Sequence, residues 1–157
     1  MKRFFEKKWA RVAAAAVVAV AVMYAMVITD VCLRARHAYL EGEKYARWAD
    51  NPALKQQALD AELARDTAAL DARLARGKIT KEERDRRADL AKFAHDRRLE
   101  ESSIKYAYVW YQTAVELFSP PESKWVKLSR RKMPLAKERW KAELRAKHIP
   151  FEDYMLD

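Results

Sequence analysis

The chain has 157 residues, of which 35% are charged and 50% hydrophobic, with a formal net charge of +9 and a mean hydropathy of −0.50. Two glycines and five prolines are too few for a many-stranded β fold, which needs a turn every few residues. The dominant Ala, Leu, Lys, Arg and Glu are residues of long helices, and a single cysteine, Cys32, excludes an intrachain disulfide and a paired-thiol metal site.

Residues 1–11 carry a charge of +4, from Lys2, Arg3, Lys7, Lys8 and Arg11 against Glu6. Residues 12–28 then read VAAAAVVAVAVMYAMVI without a charge, and the apolar stretch resumes after Thr29 and Asp30 through Leu33. At the helical rise per residue, 12–33 covers roughly 33 Å, against a hydrocarbon core of about 30 Å. The stretch is longer than the apolar part of a cleaved signal peptide, and Thr-Asp-Val-Cys-Leu-Arg offers no small-x-small cleavage site. We therefore expect a retained single-pass signal anchor: a basic cytoplasmic tail at 1–11 and a transmembrane helix at 12–33. The short basic tail resists translocation, which puts the rest of the chain outside, in the periplasm beyond a bacterial inner membrane.

Ala15 with Ala19 and Ala21 with Ala25 are small-xxx-small pairs, and Tyr24 carries a hydroxyl near mid-membrane. These features point to packing against other transmembrane helices. The competing reading is that an Ala-rich chain simply uses Ala here.

Residues 34–50 continue as a stalk helix, and Asp50-Asn51-Pro52 stops and restarts the chain. A second helix over 52–76 carries Leu59, Leu63, Leu70 and Leu74 in a narrow stripe suited to a coiled-coil seam. Gly77 suits a left-handed C-cap, and Thr80 with Glu83 forms a capping box. A third helix is expected from 81 to 118, with Leu90, Phe93 and Ile104 on its inward face beside Arg86 and Arg97. Residues 52–118 thus read as a long antiparallel helical hairpin.

The end of that third helix, KYAYVWYQTAVELFSPPESKW, is dense in aromatic residues. Its apolar arc covers about 200°, twice what one packing partner requires. Flanking on two sides is expected, by the chain's own helices and by another protein. Tyr106, Tyr108, Trp110, Tyr111, Phe118 and Trp125 are therefore the partner-binding candidates. The run WYQTAVELFSPPESKW resembles one helix-turn of tetratricopeptide-like hairpins, where aromatic and Ala positions interlock and Pro starts the next helix. The family's Trp-x-x-Leu-Gly-x-x-Tyr pattern is absent, so the resemblance implies packing alone.

Ser119 with Glu122 forms a further capping box, and Pro134 reads as the start of another helix. Residues 119–148 are thus expected as two short basic helices, about 120–132 and 134–147. Within 122–148 the charge is +7. Lys124, Lys127, Arg130, Arg131, Lys132, Lys137, Arg139 and Lys141 form a candidate basic patch, for anionic lipid headgroups or an acidic protein surface. Nucleic acid is not an expected partner of a domain outside the cell. An acidic, aromatic tail closes the chain at 149–157.

Gly42 and Gly77 stand alone, which excludes P-loop and dinucleotide-binding fingerprints. His37 and Glu41 lie one helical turn apart, two ligands where a metal site needs more. The carboxylates of 81–101 are balanced by seven basic residues, as intrahelical ion pairs require. We expect no enzyme and no cofactor. The expectation is an all-α protein: one N-terminal transmembrane helix followed by a helical-hairpin or small-bundle ectodomain. Its expected role is that of an accessory or scaffolding subunit among integral membrane proteins and lipid. The alternatives are a membrane-tethered adaptor for a soluble partner and a pilin-like filament subunit, although the pilin processing pattern is missing.

Overall fold

A computed structural model describes residues 2–156, with side chains from Trp9 onward. The charges of the basic tail at Lys2, Arg3, Lys7 and Lys8 lie outside the described side chains. Among the described residues every regular element is helical: α1 (Lys2–Asp50), α2 (Pro52–Ala75), α3 (Lys81–Glu100), α4 (Ser103–Glu116), α5 (Lys124–Ala146) and a closing 3-10 turn at Asp153–Leu156.

The 49 residues of α1 form one unbroken helix, roughly 74 Å long at the usual rise. Residues 9–27 are exposed on every side, and α1 is long and apolar enough to cross a membrane. Thr29 donates its hydroxyl to the Ala25 carbonyl at 2.8 Å, which satisfies that polar group within the helix. Asp30 and Arg34 pair at 2.7 Å where the apolar stretch ends.

Beyond that point α1 joins α4 and α5 in a three-helix bundle. Ala35, Ala38 and Gly42 are buried on α1, and Ala46 and Ala49 continue the row. Steps of three and four residues keep these small side chains on one stripe, so α4 can approach closely. On α4 the facing side chains are Ile104, Ala107, Tyr108, Tyr111 and Ala114, all buried. On α5 they are Val126, Ser129, Met133, Ala136 and Trp140, again at alternating steps of three and four. Large residues on α4 fill the space that small residues on α1 leave open. Burying a large apolar side chain fully contributes about 1.5–3 kcal/mol, so this complementarity is the bundle's main source of stability.

The offset between α1 and α5 is constant. Lys132 bonds Glu43 and Arg139 bonds Asp50, each pair 89 residues apart, and the Arg36 guanidinium lies over the Trp125 ring at the same offset. The two helices therefore run parallel and in register over two heptads, as in a coiled coil. α4 runs antiparallel to them, with Tyr106 stacked on Tyr45 and Tyr111 against Gly42.

α2 and α3 form the expected hairpin. Gly77 has a φ of +66°, and Thr80 accepts from the Glu83 amide at 3.2 Å. Leu59 and Leu70 are buried, with Leu63 and Leu74 half-buried, so the leucine seam faces inward.

Four expectations need correction. The helix expected over 81–118 breaks at Glu101–Ser102, where Ser102 caps α4 by accepting from the Lys105 amide. Polar residues that compete for backbone bonds favour such a cap over continued helix. The expected inward pair Leu90 and Phe93 points outward instead, 62% and 67% exposed, and α3 turns Ala88, Ala91, His95 and Arg98 toward α2. The two short basic helices are one, α5, which continues through Pro134. Proline removes one backbone donor there, but the heptad face of α5 packs across that point and outweighs the local loss. Finally, α5 is capped by Ser123, which accepts from the Val126 amide at 3.3 Å, rather than by Ser119.

Candidate functional site: the aromatic junction and the outer faces

The junction of α1, α4 and α5 is built around Tyr111. Gly42 provides the space for it: a Cβ at that position would lie 2.6 Å from the Tyr111 ring. The Tyr111 hydroxyl donates to Glu43 Oε1 at 2.6 Å, and Lys132 Nζ bonds the same carboxylate at 2.8–2.9 Å. One residue from each helix thus meets at Glu43. Burial alone would raise the Glu43 carboxyl, but the bonds from Lys132 and Tyr111 outweigh it and hold it below the ordinary range. Burial, reinforced by the bond to Glu43, pushes the Tyr111 phenol well up. The bond to Glu43 raises the Lys132 ammonium.

The other aromatic candidates pack around this point. Tyr39 contacts Tyr111 and Trp125, Trp110 meets His37 edge-on, and Tyr108 packs on Trp140. Tyr106 donates to Glu101 at 2.9 Å, and Phe118 is half-buried. Of the partner-binding candidates Tyr106, Tyr108, Trp110, Tyr111, Phe118 and Trp125, two are buried within the chain and the other four are half-exposed. Tyr108 and Tyr111 are core, and both sides of α4 are flanked by helices of the same chain. The wide apolar arc was real, but its second partner is α5.

The expected basic patch also divides. Arg130 grips Glu122 through two bonds at 2.6 and 2.8 Å, Lys132 pairs with Glu43, Arg139 with Asp50, and Lys141 with Asp153 at 3.0 Å and Glu138 at 3.3 Å. Lys137 sits over the Tyr108 ring. Lys124, Lys127 and Arg131 are exposed, with no carboxylate in ion-pair range among the described residues; Lys124 lies over the Trp125 ring at 4.5 Å. Most of the patch is thus cross-bracing, and its unpaired charge lies at the N-terminal end of α5. The acidic tail folds back onto α5, with Leu156 buried and Phe151 beside Arg145.

In the span, Ala15, Ala19, Ala21, Tyr24 and Ala25 are all exposed. At 100° per residue the two alanine pairs lie on faces about 120° apart.

Sequence reasoning missed two features. Lys55, only 7% exposed, donates to the carbonyls of Leu99 at 3.0 Å and Glu101 at 2.6 Å, and so closes the C-terminus of α3. Burial lowers this ammonium against the pull of Glu101 and Glu143. The second is the outward apolar pair Leu90 and Phe93, on a helix whose other exposed residues are mostly charged. The signal was present in Ala88, Ala91 and His95, which share a helical face and fit closely against leucines.

Cavities are shallow. An open groove of about 530 Å³ lies between α1 and α5, lined by Ala46, Ile104, Tyr111, Leu135 and the Arg139–Asp50 pair. No group of three potential metal ligands occurs among the described residues, and Glu41 is engaged by Lys44. Comparison with family models, curated proteins and solved structures returns no match.

Proposed function

We propose that this chain is a non-catalytic accessory or scaffolding subunit of a larger membrane assembly. Residues 12–33 anchor it, the N-terminus lies in the cytoplasm, and the helical domain lies outside, in the periplasm of a bacterial cell. The observation that carries this reading is the outward pair Leu90 and Phe93. An apolar pair held away from the chain's own core, on a helix rich in charge, suits the face of another protein. The partner-binding role thus moves from the aromatic helix to α3. Two small-residue faces on the span, pointing different ways, suit neighbouring transmembrane helices on two sides.

Native mass spectrometry of the gently solubilised protein tests the proposal: a defined complex is expected, and a lone monomer contradicts it. Leu90→Ser with Phe93→Ser should abolish that complex while leaving the helical circular dichroism unchanged. The alternative is a tethered adaptor whose α2–α3 hairpin captures a soluble partner. Its association would be lost when salt screens the flanking charges, whereas an integral subunit would stay bound.

A further inference from the structure

The end of the apolar stretch and the start of the bundle overlap. Residues 9–27 of α1 are exposed, but Ile28, Val31 and Cys32 are already half-buried by the rest of the chain. The elements at that level follow from the register. The constant offset of 89 between α1 and α5 puts the Ser123 cap level with Arg34 and Trp125 level with Arg36. The antiparallel pairs Tyr106–Tyr45 and Tyr111–Gly42, continued by about two turns, bring Leu117 and Phe118 level with the stretch Leu33–Arg36. The connection 117–123 therefore lies where the apolar stretch ends, level with Leu33 and the residues just beyond it.

Its composition fits that level. Leu117 is 70% exposed, Pro120 is exposed, and Phe118 and Pro121 are half-exposed. Trp125 follows, about 4.5 Å past the level of Leu33, within the headgroup layer where tryptophan concentrates. Arg36 and Lys124 both lie over its ring. Of the four cations in the first eight residues of α5, Lys124, Lys127 and Arg131 have no carboxylate in ion-pair range among the described residues, and Arg130 pairs with Glu122. Further along, Lys132, Arg139 and Lys141 are paired, and Arg145 lies over the Phe151 ring.

We propose that the 117–123 connection and the first two turns of α5 form a second membrane contact, with Leu117, Phe118 and Pro120 entering the interface and Lys124, Lys127 and Arg131 meeting anionic lipid headgroups. The contact rests on reading 12–33 as a membrane span. Apolar residues at the loop tip, tryptophan at headgroup level and cations just above them are the order in which an interfacial segment is built.

Site-directed spin labelling tests it on the full chain, in Cys32→Ser background, reconstituted in nanodiscs of zwitterionic lipid doped with phosphatidylglycerol. Nitroxides are placed singly at Leu117→Cys, at Pro120→Cys, in the span at Val20→Cys and at the hairpin tip at Lys78→Cys. Collisions with oxygen and with a water-soluble nickel chelate report the surroundings of each label. The 117 and 120 labels are expected to lie between the Val20 and Lys78 labels, more accessible to oxygen and better shielded from nickel than Lys78. Lys127→Gln with Arg131→Gln should shift both toward nickel. Loop labels as nickel-accessible as Lys78, beside a shielded Val20, would overturn the loop contact and leave the span standing. A nickel-accessible Val20 would overturn the span and the contact with it. Loop labels unmoved by the charge substitutions would overturn the role given to the cations.

Discussion

Gly42 and Tyr111 touch so closely that a single added carbon on Gly42 would fall 2.6 Å from the tyrosine ring. Gly42→Ala should therefore overpack the junction and destabilise the protein by about 1–3 kcal/mol. Chemical denaturation measures it, and Gly42→Ala combined with Tyr111→Leu should recover part of the loss. A Gly42→Ala protein as stable as the parent would refute the contact.

The Glu43 junction makes stability depend on pH at both ends. The folded Glu43 carboxyl lies below its ordinary value of 4.5, because bonds from Lys132 and Tyr111 outweigh its burial. Its contribution is present above that ordinary value and is lost as pH falls through the lower folded value. Tyr111, raised above 10.0, acts in the opposite sense: its contribution is intact below 10.0 and is lost as pH rises. Glu43→Gln should flatten the acid limb of a stability-versus-pH curve. Lys132 is partly exposed, so the ion pair itself contributes about 1 kcal/mol or less. An acid limb identical to the parent's would refute the assignment.

Lys55→Met removes a buried ammonium from two carbonyls at the end of α3. Hydrogen bonds to charged groups contribute about 1.5–3 kcal/mol, and the loss should be of that order. Hydrogen exchange should quicken first in the last turn of α3, where those carbonyls would be left open.

The Ser129 hydroxyl is fully buried and has no hydrogen-bond partner among the described residues. An unsatisfied buried polar group costs about 1–3 kcal/mol, so Ser129→Ala should raise the midpoint of thermal unfolding. A clear fall would show that the hydroxyl has a partner in solution.

Pro134 interrupts the hydrogen-bond ladder of α5 on its exposed side. Pro134→Ala should stabilise the helix, by up to about 3 kcal/mol, as measured by urea unfolding. A destabilised variant would show that the proline sets the course of α5 across the bundle.

The helical class, the apolar span, the 52–76 helix and the Gly77–Thr80 turn were legible because each depends on local chemistry: periodicity, a left-handed glycine, a hydroxyl cap. The α3–α4 break was harder to read, since Ser102 competes with a helix pattern that continues on both sides. Pro134 misled for the opposite reason. A local helix breaker was overridden by the face Val126, Ser129, Met133, Ala136 and Trp140, whose regular spacing was in the sequence but whose partner was distant. Tyr108 and Tyr111 turned out to be core because a wide apolar arc states how much surface must be covered, not which chain covers it. Leu90 and Phe93 were placed inward on the assumption that leucine and phenylalanine outrank alanine as core. Against a leucine-rich helix, alanine allows the closer approach.

The unbroken course of α1 has a mechanical corollary. It contains no proline, and its one glycine is pinned beneath Tyr111. Helices bend sharply at such residues or at inserted groups, so α1 has no ready hinge between its apolar stretch and the bundle. Its last 17 residues reach roughly 26 Å beyond Leu33. A change of about 20° in the angle of the span would sweep that far end sideways by about 9 Å. If 12–33 spans a membrane as proposed, the span acts as a lever arm, and its angle sets where the rest of the protein stands relative to the bilayer.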